Sequence, residues 1–308
     1  MPEHIDPATI LRRLPYQGLT TFWRAPYVQN LDGVDVAVYG VPFDTGTSNR
    51  PGARFGPRSI REQSCYVGLY DQCWPHDYAF KDRFRLIDYG DVVSFPGRTE
   101  EMLTAVEASV SKLVDANVAS LGLGGDHLTS YPALKAHAKR HGPLALIHFD
   151  AHADLTEAPH LFHGSMFGVA VQEQLIDPDA SIQVGIRTPS PPTPKLQVLT
   201  ADRCLRMEGK AIAEKIKDVV GGRKCYVTLD IDAMDPAHAG GTGTPAPGGL
   251  TSALQREILW HLKGVNAVGG DVVEVSPPYD EAAKTAIVGA IVAMDILHIL
   301  GEARSAPG

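Results

Sequence analysis

Short, nearly continuous apolar runs recur along the chain, separated by stretches whose apolar residues return at helical spacing. The runs predict strands over 35–42, 84–90, 118–124, 144–150, 182–188, 225–232 and 267–276. Between them, 99–117 and 204–222 carry an amphipathic helical pattern, and 282–302 reads as a closing helix. Strands apolar on both faces and alternating with helices predict an α/β fold. The expectation is a single domain with a mostly parallel central sheet and helices on both faces. In such sheets ligands sit just beyond the carboxyl ends of the strands. Three of the runs end there in residues that carry chemistry.

Composition narrows the picture mainly by exclusion. At 308 residues and 44% hydrophobic content the chain can bury a sizeable core. A net charge of -8 without basic blocks argues against a nucleic-acid surface. Cys65, Cys73, Cys204 and Cys225 are widely spaced, which suits neither a disulfide framework nor a thiolate zinc site. The N-terminal residues lack the apolar run of a secretory signal. The most hydrophobic stretch, TAIVGAIVAMDILHIL, is interrupted by Asp295 and His298, so no membrane span is expected. A cytoplasmic protein is the default. Prolines cluster only at 189–194, read as a rigid surface loop.

The first polar strand end is LGLGGDHL, where Gly124 and Gly125 permit a tight turn and deliver Asp126 and His127. Alone, His127 reads as a packed or capping residue, and Asp126 as a brace for the loop or the histidine. The second is LALIHFDAHADL. In an extended chain Asp150, His152 and Asp154 would face one side, converging as a mixed carboxylate and imidazole ligand set. Such ligands suit first-row divalent metals, with the oxygens favouring manganese. The third is YVTLDIDAMDP, where Asp230 and Asp232 would repel each other if buried without a cation. Asp235, followed by Pro236, reads as a turn or helix cap. Two histidines and four aspartates exceed the needs of one metal and suit two. A pair about 3.5–4 Å apart can hold a bridging hydroxide and attack a sluggish electrophile.

Several segments, in order, resemble the ureohydrolase family of arginases and agmatinases: GGDH (124–127), FDAHAD (149–154), HGSMF (163–167), LDIDAMDP (229–236), GTGTP (241–245) and VVEVSP (272–277). The segment 40–62 looks closest to the agmatinase branch, and the similarity runs from about residue 33 to 300. The resemblance implies the arginase-like three-layer fold, with 33–308 as the catalytic domain. Residues 1–32 would be an extension packed on that domain or on a neighbouring subunit. It implies two Mn²⁺ per subunit, Ni²⁺ being the alternative. One would be held by His127, Asp150, Asp154 and Asp230, the other by Asp150, His152, Asp230 and Asp232. Asp154 would also take a hydrogen bond or proton from the bridging hydroxide. His163 would be the mobile histidine that protonates the leaving amine. Glu274, by itself a solvated strand end, would receive the guanidinium. A homotrimer or homohexamer is implied, with a hetero-oligomer as the alternative.

The sequence departs from the family pattern where Gly240 replaces a proline before GTGTP and where His238 replaces an apolar or aromatic residue. Glycine would loosen the loop bordering the pocket. The 155–163 loop is one residue shorter than the bacterial agmatinase pattern. It carries Glu157 and no Lys or Arg, although Arg50 or Arg54 could reach in from elsewhere. The expected reaction is urea release from a small guanidino compound, agmatine first. The alternatives are 4-guanidinobutanoate, 3-guanidinopropanoate, guanidine, and a small biguanide or alkylguanidine. Two rivals are a same-fold hydrolase of another C–N bond and a non-catalytic partner subunit.

Overall fold

The computed structural model describes residues 14–69, 73–190 and 196–305. Eight strands form one sheet in the order β2-β1-β3-β8-β7-β4-β5-β6, and every pairing is parallel. They are β1 (Val36–Gly40), β2 (Leu86–Asp91), β3 (Ala119–Leu123), β4 (Ala145–Phe149), β5 (Ile182–Ile186), β6 (Gln197–Thr200), β7 (Lys224–Asp230) and β8 (Asn266–Val273). Seven of these fall within the predicted runs to within a residue or two. β6 was not foreseen: it has four residues, two of them exposed, at the sheet edge. The Pro189–Pro194 loop lies largely outside the described residues.

The sheet is apolar on both faces because helices cover both. Val36 and Val38 of β1 enter one core, and Ala37 and Tyr39 enter the other. The first core is closed by α1 (Gly56–Val67), α5 (Gly209–Val220), α6 (Ser252–His261) and α7 (Lys284–Ser305). The second is closed by α2 (Thr99–Asp115), α3 (Ser130–His141) and α4 (Met166–Gln172). Helix α2 buries Met102, Val106, Val110 and Leu113, the stripe that spacing of three and four residues predicts. Helix α3 ends at Gly142, whose φ of +77° gives the left-handed conformation that glycine tolerates best.

One reading needs correction. The 204–222 helix is two pieces, Ala201–Cys204 and α5, with a turn at Leu205–Met207 between them. The apolar stretch ahead of the C-terminus forms part of α7. Among the described residues, Glu281–Ser305 is long and apolar enough to cross a membrane, yet 72% of its apolar window is buried in the fold. It packs as a core helix. Asp295, inside it, is buried and paired with Arg256 at 2.8 Å. All four cysteines are buried and unpaired by disulfides.

Residues ahead of β1 also pack inward. Phe22 and Trp23 are fully buried. The Phe22 N–H donates to Asp88 and the Trp23 N–H to Ser64, each at 2.7 Å. Residues 1–13 lie outside the described part of the chain.

Candidate metal centre

Four adjacent strands, β3, β8, β7 and β4, deliver the candidate residues from their carboxyl ends. His127 follows β3, Glu274 follows β8, Asp230 closes β7 with Asp232 in the next turn, and Asp150 to Asp154 follow β4. The GGDH turn is sterically tight: a Cβ on Gly125 would lie 1.6 Å from the Phe43 carbonyl oxygen, so only glycine fits.

The six proposed ligands fall into two groups that share Asp150. His127 Nδ1 lies 3.1 Å from Asp150 Oδ2, 3.0 Å from Asp154 Oδ2 and 3.3 Å from Asp230 Oδ2. His152 Nδ1 lies 3.3 Å from Asp150 Oδ1 and 3.1 Å from Asp232 Oδ2. One carboxylate therefore turns one oxygen to each group.

The convergence is real, but its cause differs from the expectation. β4 ends at Phe149, and Asp150 to Asp154 form a bend rather than an extended strand. Asp154 sits at φ +54°, a left-handed conformation rare outside glycine and costly to hold. Likewise Asp232 lies in a 3-10 turn, not on the strand face of Asp230. The Asp230 side chain caps that turn, accepting from the Asp232 N–H at 2.8 Å.

Charge makes this set difficult to satisfy by itself. Asp150, Asp154, Asp230 and Asp232 are all buried. Arg187, close by, gives its guanidinium to the backbone carbonyls of Asp232, Ala233 and Ala246 instead. Burial, followed by the charges of Asp232 and Asp150, pushes Asp230 well above the usual carboxylate range. Burial and Asp150 raise Asp232 to about 6. His152 is moved the other way: burial would lower it, but hydrogen bonds to Asp150 and Asp232 hold it up at about 12. Such opposed shifts mark a site short of positive charge.

The His127 ring shows what kind of charge fits. The Thr228 hydroxyl donates to Asp271 at 2.6 Å, so it accepts from His127 Nε2–H at 2.8 Å. That assigns the proton to Nε2 and turns the Nδ1 lone pair toward three carboxylates. Nδ1 is buried and, among the described residues, has no partner in hydrogen-bonding geometry. A cation placed between these atoms satisfies all of them, and an imidazole oriented by a hydroxyl and a carboxylate behind it is a common metal-site design.

Two residues of the site were missed in the sequence. His148 Nε2 lies 2.8 Å from Asp150 Oδ2, and its Nδ1 lies 2.9 Å from Gln183 Nε2. A carboxylate only accepts and an amide nitrogen only donates, so His148 has its hydrogen on Nε2 and its lone pair occupied. Although it stands within reach of a metal with His127, Asp150 and Asp154, it acts as a brace for Asp150. The Gln183 amide also donates to the Ala153 carbonyl at 2.7 Å.

Beside this cluster a cavity of about 180 Å³ is lined by Ser48, Asp154, Phe162, His163, Thr188 and Thr244, among others. Glu274 is fully buried rather than solvated, at φ +63°. Its Oε1 accepts from the His127 N–H at 2.9 Å and lies 2.8 Å from His163 Nδ1. Its Oε2 is buried without a hydrogen-bond partner among the described residues, and Gly243 of GTGTP leaves space beside it, where a Cβ would come within 3.3 Å. Burial would lower the His163 pKa, but the hydrogen bond and charge of Glu274 lift it to about 9. Asp126 braces the 44–52 loop by accepting from the Gly46 N–H at 2.7 Å, and Asp235 caps Pro236–Ala239.

The expected departures resolve differently. Gly240 ends that short helix at φ −83°, a conformation open to any residue, and its carbonyl accepts from the Thr242 N–H at 3.0 Å. Arg54 is engaged by Asp44, and Arg50 lies over the Tyr279 ring, so neither enters the cavity. His238 turns toward Ser252 Oγ, 3.4 Å from its Nδ1.

Residues 34–298 match the family model described as the arginase family. The chain is 42% identical over 280 residues to an agmatinase of Neisseria meningitidis serogroup C (strain 053442), covering 91% of this chain and 90% of that one. Among solved structures, a hypothetical agmatinase from Burkholderia thailandensis superposes with a TM-score of 0.92 at 42% identity. The match covers 95% of this chain and 94% of the other. Proclavaminate amidino hydrolase from Streptomyces clavuligerus superposes with a TM-score of 0.88 at 38% identity, over 95% and 99% of the two chains.

Proposed function

The chain belongs to the arginase family, and from that premise we propose that it hydrolyses agmatine to urea and a diamine at the centre shared by Asp150. The family uses a pair of metal ions, and the donor set here fits one: two histidines and four buried carboxylates, with the buried Nδ1 of His127 turned toward them. We assign His127, Asp150, Asp154 and Asp230 to one ion, and Asp150, His152, Asp230 and Asp232 to the other. When bound, divalent ions held by these residues would supply a water of lowered pKa, a nucleophile competent at neutral pH. Manganese is our choice over nickel because most of the ligand atoms are carboxylate oxygens.

The protein's own groups would then do the rest. Glu274 Oε2, buried and unpartnered, receives guanidinium N–H groups beside Gly243. Asp154 accepts the proton of the attacking water. His163, 2.8 Å from Glu274, protonates the leaving amine, which is too basic to depart as an anion. No lysine or arginine lines the cavity among the described residues, which supports a cationic tail over a carboxylate one. The carrying observation is this unpartnered Glu274 oxygen next to the paired ligand clusters. A urea-release panel tests the reading: agmatine should exceed 4-guanidinobutanoate, 3-guanidinopropanoate and guanidine in kcat/KM, under Mn²⁺ and Ni²⁺ in parallel. A carboxylate-tailed compound winning by tenfold would overturn the substrate.

We further infer a homo-oligomer, a trimer or hexamer, with 33–308 as the catalytic domain and 1–32 as an extension. Tyr16 and Leu19 of that extension are 80% and 81% exposed, which supports a contact with a neighbouring subunit. Four free thiols support a cytoplasmic location.

A further inference from the structure

His163 must change protonation state to act as an acid, and its surroundings show how it could. The ring is buried, only 7% exposed. Nδ1 lies 2.8 Å from Glu274 Oε1, which can only accept, so Nδ1 carries a hydrogen in both states. The change therefore takes place at Nε2. Among the described residues two atoms meet Nε2, both from Ser48 on the loop after β1: the backbone nitrogen at 3.0 Å and Oγ at 2.7 Å.

These two atoms are not equivalent. A backbone N–H only donates, so it suits neutral imidazole and opposes imidazolium. A hydroxyl donates or accepts by rotating about its C–O bond. The acidic groups facing the ring, Glu274 after β8, Asp154 after β4 and Asp126 after β3, all favour imidazolium. None of them offers Nε2–H a hydrogen bond among those found in the described residues.

We propose that Ser48 is a positioning residue for the reaction: its hydroxyl reverses direction at His163 Nε2, donating to the neutral ring and accepting from the protonated one. Ser48 is exposed, so the reversal takes place where the buried ring meets solvent. This rests on His163 serving as the acid in the reading above, and the test separates the two claims.

The experiment compares the parent with Ser48→Ala and Ser48→Thr as full-length, metal-loaded protein. The His163 pKa is read by NMR of isotope-labelled histidine, its resonance identified by loss in His163→Gln. Urea release from agmatine is followed against pH. Removing the Ser48 hydroxyl, the one acceptor at Nε2 among the described residues, should lower the His163 pKa by up to about one to two units, the worth of a hydrogen bond to a charged group. The alkaline fall in kcat should move to lower pH by the same amount, since the acid form is lost earlier. Ser48→Thr keeps a hydroxyl and should keep the parent titration. An unmoved titration in Ser48→Ala, or equal shifts in both variants, overturns the proposal. A shifted titration in a protein whose parent frees no urea would sustain the Ser48 contact and overturn the functional reading instead.

Discussion

Gln183→Leu probes the support beneath the shared carboxylate. Gln183 Nε2 holds two buried acceptors, His148 Nδ1 at 2.9 Å and the Ala153 carbonyl at 2.7 Å. The first bond fixes the tautomer in which His148 donates to Asp150. The second ties down the bend between His152 and Asp154. Leucine fills a similar volume and donates nothing, so both acceptors are left buried and unsatisfied. At about 1–3 kcal/mol for each such group, the variant should lose about 2–6 kcal/mol of stability. That is a large part of a typical total of about 5–15 kcal/mol. With His148 free to take its other tautomer, its lone pair would face Asp150, and affinity at both metal positions should fall by about 10–100-fold. Chemical denaturation of the metal-free protein reads the first effect, and calorimetric titration with Mn²⁺ reads the second. A variant that folds with parental stability and binds both ions as tightly as the parent would refute the role given to Gln183 and His148.

Other outcomes follow from the same geometry. Asp150→Asn should lose both ions and all turnover, because the carboxylate that turns an oxygen toward both His127 and His152 loses its charge; metal analysis with a urea assay checks this. His163→Ala should keep both ions, while kcat falls by about 10²–10⁴-fold as expected for a lost general acid. Acid should destabilise the fold through two buried histidines. Burial, with His141 beside one and His76 beside the other, holds His137 and His298 at about 3. Their pKa is about 6.5 when unfolded, so the stability they contribute is complete above that value and is lost as pH falls toward 3. Each adds about 1.4 kcal/mol per pH unit to the slope across that window. His298→Gln should remove one such share, measured by denaturation between about pH 6 and pH 4.

The strand ends were legible because buried parallel strands announce themselves as apolar runs, and carboxylates have no reason to end such runs without a task. Asp150, His152, Asp230 and Asp232 could be read this way. The geometry that joins them could not. Period-two spacing suggested one extended face, whereas Asp154 reaches His127 through a left-handed φ that no residue type at that position advertises. His148 looked like strand filler, although a histidine inside a buried run needs partners, and its place two residues before Asp150 put it on the same face. Gln183 offered the same clue inside IQVGI. Ser48 offered none, since a serine in a polar loop is ordinary until the fold sets it 2.7 Å from His163. β6 is too short, and the turn after Cys204 too helix-like in spacing, for pattern alone to place either.

Metal stoichiometry and urea release measured on one preparation test the central claim most directly. The purified chain, stripped and reloaded with Mn²⁺, should bind two ions per chain and then release one urea for each agmatine consumed. Fewer than two ions per chain, or agmatine left intact by the fully loaded protein, would contradict it.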